Sequence, residues 1–156
     1  MDTKSDLTMI NISGKPDMIR IAKAEGSIRL KSKTLQAIED KEIKKGDVFT
    51  AAKLAAINAV KKTSELIFLA HPIPITEVKV TLSIDKRRSS VKLVTEVQSI
   101  GKTGVELEAL TGVAIGLLSV FDMCKYLEKD EKGQYGVTSI SDIKVIKKVK
   151  ENPAKT

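Results

Sequence analysis

The sequence predicts an α+β fold, an antiparallel sheet with helices packed on one face. Three observations carry that expectation. Apolar residues alternate with polar ones in several short stretches, as half-buried strands require. Two longer stretches carry apolar or small residues at helical spacing. Their order along the chain is strand, helix, helix, strand, strand, helix, strand.

Residues 1–18 are polar and contain Gly14 and Pro16, so a flexible N-terminal arm is expected. From Ile19 the run Ile19-Arg20-Ile21-Ala22-Lys23-Ala24-Glu25 alternates, and after Gly26 the pattern resumes in Ser27-Ile28-Arg29-Leu30. This reads as one strand with a bulge at the glycine. Thr34 is placed to cap a short helix through Ile38, which the charged residues 40–45 and Gly46 close. Asp47 has the placement of an N-cap for the next helix. That helix, residues 48–62, is alanine-rich, and Val48, Ala51, Ala52, Ala55, Ala56, Ala59 and Val60 form a face small enough to admit another element closely. Thr63-Ser64 interrupts it, residues 65–69 form a turn, and the prolines of His71-Pro72-Ile73-Pro74 require a loop.

Val78, Val80, Leu82 and Ile84 alternate with Lys79, Thr81 and Ser83. Val91, Leu93, Thr95 and Val97 continue the period beyond a basic turn at 85–90, which predicts an antiparallel hairpin. After Gly101-Lys102-Thr103-Gly104 the chain reads as a long helix from Val105 or later to Lys129, its middle apolar on all sides. Such a helix is covered by its own sheet and by something else, such as a second subunit. Residues 140–149 form a last, lysine-rich strand. The order fits a ferredoxin-like arrangement in one domain, residues 19–149, followed by a tail at 150–156. There is neither an internal repeat nor a linker.

At 156 residues the chain has the size of one domain with one core. With one cysteine, Cys124, and one histidine, His71, a Cys/His zinc cluster cannot be built, and no metal or cofactor is implied. The start MDTKSDLTMI has charges and no apolar segment of a secretory signal, and the uncharged run from Ala109 to Phe121 is too short to cross a bilayer. A cytoplasmic protein with no membrane partner is expected. The net charge of +7 favours an anionic partner, but three Phe, two Tyr and no Trp leave few platforms for stacking bases, which argues against nucleic acid.

Several residues could carry chemistry. Gly101-Lys102-Thr103 suggests a phosphate loop, but Glu96 stands where that motif needs its first glycine. The segment is then either a smaller amide-lined loop or a plain strand-to-helix connection. Glu106 and Glu108 share a side of an extended segment yet lie about 200° apart on a helix, so they converge only if the helix starts later. Asp122 and Lys125 can meet on the long helix, either as an exposed ion pair or, since Asp122 follows an uncharged run, as a partly desolvated carboxylate with a tuned proton affinity. His71 is held in a proline-flanked loop that suits either a structural or a functional ring. Glu108 and Asp122 on one continuous helix stand about 21 Å apart, so a single small substrate reaches both only if two subunits build the site.

Read together, Lys45-Gly46-Asp47-Val48, Lys61-Lys62-Thr63 with Glu65-Leu66-Ile67, Leu69-Ala70-His71-Pro72, the run Gly101 to Thr111 and Asp122-Met123-Cys124-Lys125 resemble, in order and interval, molybdenum cofactor biosynthesis protein C, the cyclic pyranopterin monophosphate synthase family. The resemblance runs from about Met9 to Lys148. It implies a lyase that converts a cyclised dihydro-GTP to cyclic pyranopterin monophosphate with release of pyrophosphate, so the implied partner is a nucleotide-derived triphosphate. Asp122 is implied as the catalytic acid/base, with Lys125 beside it and Lys45 as a second catalytic lysine. Leu69, Ala70 and His71 are implied as one substrate-contacting segment, and Leu107 and Glu108, with Glu106 nearby, as the other. Arg20 and Lys148 match positions suited to the triphosphate.

The resemblance further implies a ferredoxin-like fold assembled as a hexamer of three dimers, with sites at the dimer interface. The chain departs from the family pattern in having Ala70 for a usual cysteine and Leu107 for a usual methionine. It also carries Lys148-Val149-Lys150-Glu151-Asn152-Pro153 where the family has a glycine-rich tail. Lys147 or Lys150 is the candidate to take over what that tail does.

Overall fold

The computed structural model describes residues 6–155. Its elements are β1 (Met18–Arg29), α1 (Ser32–Glu39), α2 (Val48–Lys61), α3 (Thr63–Leu66), β2 (Ile75–Asp85), β3 (Ser90–Gly101), α4 (Glu106–Glu128) and β4 (Ser139–Glu151), followed by a 3-10 turn at Pro153–Lys155. The strands form one sheet in the order β2-β3-β1-β4. Every neighbouring pair is antiparallel. This is the α+β, ferredoxin-like arrangement expected from the sequence.

Period-two alternation in β1 becomes burial on the helix side. Ala22, Ala24 and Ile28 are fully buried, joined from β3 by Val91, Leu93 and Val97. α4 lies across β1 and β3, and α2 covers β2 and packs on α4. The small-residue face predicted on α2 meets glycines on α4. A Cβ at Gly112 would stand 2.9 Å from Val60 Cγ2, and one at Gly116 would stand 3.3 Å from the Cβ of Ala56 and 2.5 Å from Leu93 Cδ1. Glycine here lets the two helices and the sheet approach closely. Gly26 serves the same end on β1, where a Cβ would come to 2.7 Å from Val113 Cγ1. Register shifts in the β1–β4 pairing bracket it, between Lys23 and Ala24 and between Glu25 and Ser27. The bulge read at Gly26 is therefore present, on the β4 side.

α4 is long and apolar enough to cross a membrane by length and composition. Its Val113, Leu117 and Val120 are nevertheless fully buried against the sheet and α2, as in a core helix. An outward stripe carries Leu107 and Leu118, 44% and 51% exposed.

Some local expectations are corrected. Thr34 does not cap α1, because Lys31 occupies the N-cap and Thr34 lies inside the helix. The Thr34 hydroxyl instead donates to the carboxylate of Glu128, at the far end of α4. Glu128 also accepts the Lys31 N–H on both oxygens at 3.1 Å and the Thr138 hydroxyl at 2.7 Å. One buried carboxylate thus ties the starts of α1 and β4 to the end of α4. The break after α2 becomes the short helix α3, since the Thr63 hydroxyl donates back to the Ala59 and Val60 carbonyls and lets the chain turn while still coiled. The last strand extends beyond 140–149 at both ends, reaching Glu151 opposite Ile19.

Candidate active site

The loop between α1 and α2 is shaped by two left-handed residues, Lys41 (φ 56°) and Gly46 (φ 114°). Ile43 anchors it in the core. Asp47 ends it as expected, its carboxylate accepting the Thr50 N–H at 2.8 Å as the N-cap of α2. The intervening Lys45 is thereby presented to α4. Its ammonium donates to Asp122 Oδ2 at 2.9 Å and to the Asp122 carbonyl at 3.2 Å. Lys125, one turn further along α4, reaches Asp122 Oδ1 at 3.2 Å.

Hydrogen bonds from Lys45 and then Lys125 hold the Asp122 carboxyl below the usual aspartate range. The partly desolvated carboxylate considered from the sequence is not what the single chain presents, for the Asp122 side chain is 56% exposed. The reason is helical phase. Asp122 and Lys125 follow Leu118 along the outward stripe, while Val120 and Cys124 face the core. Cys124, inside the Asp-Met-Cys-Lys segment, is no nucleophile, because burial and then the charge of Glu128 push its thiol up to about 12.

The second cluster lies at the other end of α4. The segment Leu69-Ala70-His71 and the first turn of α4, Leu107 and Glu108, line one cavity of about 310 Å³, with Ile10, Ile12 and Lys15 of the N-terminal segment along its rim. His71 Nε2–H donates to the Ile10 carbonyl at 2.7 Å. Glu108 is buried with its Oε2 unpartnered, and burial, followed by repulsion from Glu106, holds its pKa above the usual glutamate value. That carboxyl keeps one buried oxygen available to a polar partner.

Glu106 and Glu108 do not converge, because α4 is helical from Glu106 onward. Glu106 points to β4, where the Lys148 ammonium stands 2.6 Å from its carboxylate. Burial works to raise Glu106, but the hydrogen bond and charge of Lys148 outweigh it and leave the group below its ordinary value. Arg20, buried on β1, donates to the Gly101 and Lys102 carbonyls at 3.5 and 3.3 Å and so holds the glycine-flanked loop. The Lys102 ammonium bonds the Lys15 carbonyl at 2.8 Å, fastening the arm beside that loop.

The structure therefore brings Lys45, Asp122 and Lys125 together, and separately Leu69, Ala70, His71, Leu107 and Glu108. Glu106 joins Lys148 on an adjoining surface. Within one chain the two clusters stay about 21 Å apart, the span of four helical turns. Sequence reasoning missed Tyr126, whose hydroxyl accepts the Lys44 N–H at 3.0 Å. It also missed the arm residues Ile10, Ile12 and Lys15, for which the only signal was apolar residues within a polar segment.

Comparison with known proteins bears on this arrangement. A family model described as the MoaC family matches residues 9–151. A "Probable cyclic pyranopterin monophosphate synthase" of Archaeoglobus fulgidus is 54% identical over 142 residues, covering 91% of this chain and 90% of that protein. Proteins of the same description from Pyrococcus furiosus and Sulfolobus acidocaldarius are each 49% identical, covering 92% and 91% of this chain and 90% and 98% of their own.

Proposed function

The chain belongs to the MoaC family, and we infer that it is a cyclic pyranopterin monophosphate synthase, the lyase that converts a cyclised dihydro-GTP to cyclic pyranopterin monophosphate and pyrophosphate in molybdenum cofactor biosynthesis. The observation that carries the assignment to particular residues is the cluster in which one carboxylate, Asp122, is bracketed by two ammonium groups, Lys45 and Lys125.

Releasing pyrophosphate while the remaining phosphate closes into a cyclic diester requires a hydroxyl oxygen of the substrate to attack the innermost phosphorus as the pyrophosphate oxygen leaves. The attacking hydroxyl must lose a proton, and the leaving group needs positive charge or a proton. Asp122 enters turnover as the carboxylate and acts first as base. Lys45 and Lys125 supply ammonium groups as acids and as counter-charges. Leu69, Ala70, His71, Leu107 and Glu108 hold the base and sugar portion, with Glu108 offering its buried oxygen to a substrate polar atom. Arg20 and Lys148 face the phosphates, and Glu106 keeps Lys148 in place. The acting unit is the single domain at 19–149, with the arm at 1–18 and the tail at 150–156.

Both clusters serve one substrate when the Asp122 group of one subunit meets the Leu107–Glu108 pocket of another. The exposed Leu107 and Leu118 on the outward stripe of α4 support burial in such an interface. The assembly is a cytoplasmic homo-oligomer, a hexamer of three dimers with the site at the dimer interface. The test is to supply the purified protein with the cyclised dihydro-GTP and measure pyrophosphate. Release of one equivalent per cyclic pyranopterin monophosphate formed supports the reading, and no release by the assembled protein contradicts it.

A further inference from the structure

We propose that Tyr126 is a positioning residue for the reaction, acting through the backbone of the Lys45 loop. The inference rests on the function inferred above and adds a residue that the sequence motifs did not single out.

Two tethers run from α4 to consecutive residues of that loop. Asp122 holds the Lys45 ammonium at 2.9 Å. Tyr126, one helical turn further on, accepts the Lys44 amide N–H at 3.0 Å. The Lys44 ammonium lies 5.4 Å from the centre of the Tyr126 ring, a cation–π distance that presses the loop onto the same side chain. The two tethers differ in what they hold. The Lys45–Asp122 pair is half exposed, at 47% and 56%, and a pair so open to water holds a flexible four-carbon chain weakly. A backbone tether fixes instead the point from which that chain departs.

The loop's other holds are the buried Ile43 and its own backbone turns. The Glu42 N–H closes on the Ala37 carbonyl at 2.9 Å and the Gly46 N–H on the Ile43 carbonyl at 3.0 Å, so the Tyr126 hydroxyl takes an amide inside the second of these turns and fastens that turn to α4. Without it, the Ile43–Gly46 turn loses this fastening to α4 and can shift as a unit, and the Lys45 ammonium loses the orientation that proton transfer requires. Tyr126 touches no reacting atom in this arrangement. Its effect belongs to kcat and to the exposure of Lys45.

The experiment compares wild type with Tyr126→Phe, which keeps the ring and removes only the acceptor. Two readouts are taken on the assembled protein. One is kcat and KM for pyrophosphate release. The other is the rate at which acetic anhydride labels Lys45, read by peptide mass spectrometry against the exposed Lys79. The expected result is at least a fivefold fall in kcat with KM within twofold, and labelling of Lys45 raised at least twofold over Lys79. An unchanged labelling ratio overturns the positioning role, and so does a kcat within twofold of wild type. If wild type itself releases no pyrophosphate, the functional reading fails while the labelling ratio still decides whether Tyr126 holds Lys45.

Discussion

Lys45 and Asp122, 77 residues apart in the chain, are joined by one ammonium that donates to both the Asp122 carboxylate and its carbonyl. With Lys125 on the opposite carboxylate oxygen, neither lysine contributes to the core. Lys45→Ala and Lys125→Ala are therefore expected to abolish turnover while leaving assembly and melting temperature unchanged. Lys125→Arg should not restore activity, since a guanidinium does not give up its proton near neutral pH. Near-normal turnover by Lys125→Arg would reduce Lys125 to an electrostatic contact.

Glu108 gives a pH signature of known sign. Its folded pKa lies above the unfolded value because of burial, so its contribution to stability is complete below the unfolded pKa and is lost as pH rises through the folded one. Glu108→Gln removes that loss. Melting curves from pH 4 to 8 should show the variant gaining on wild type as pH rises, with the smallest difference at pH 4. A variant that loses ground toward pH 8 would show that Glu108 is stabilised as a carboxylate.

Glu128 makes the opposite kind of prediction, because every donor around it is already satisfied. Glu128→Ala strands the Lys31 amide and the Thr34 and Thr138 hydroxyls, and the expected cost is about 3 kcal/mol or more. Glu128→Gln keeps one acceptor oxygen and should cost less. Urea unfolding of both variants checks the order. Equal stability of Glu128→Ala and wild type would mean that water replaces the carboxylate at no cost.

The shared site can be tested by mixing. Lys45→Ala and Glu108→Ala, each expected to be inactive alone, would damage opposite halves of the proposed composite site. Dissociated and reassembled together, they should recover about a quarter of wild-type activity, because half of the random dimers carry one intact site of two. Mixtures that stay inactive although reassembly is shown by sedimentation would place both clusters in one chain's own site.

Patterns that depend on near neighbours were legible in the sequence. Alternation placed the strands, Asp47 announced its cap, and the small face carrying Ala52 and Ala56 announced close packing, though not the glycines Gly112 and Gly116 that meet it. The phase of the helix also decided that Glu106 and Glu108 part, once its start was known. What could not be read were contacts across the fold. Thr34 looks like a cap until Glu128, 94 residues away, takes its hydroxyl. The tie between Tyr126 and the Lys44 amide spans 82 residues and leaves no periodic trace. For Asp122 the sequence leaves open an exposed ion pair or a partly desolvated carboxylate, and helical phase decides for the exposed pair by turning it outward, where the neighbouring lysines dominate its proton affinity.

The central claim is that Asp122 exchanges protons during turnover, and kcat set against KM for Asp122→Asn tests it most directly. Asparagine keeps the size and much of the hydrogen bonding but cannot take up the proton. The expected result is a fall in kcat of about 10²-fold or more, with KM little changed and the oligomer intact. Turnover near that of wild type by the assembled variant would contradict the claim and leave Asp122 as a surface partner of Lys45 and Lys125.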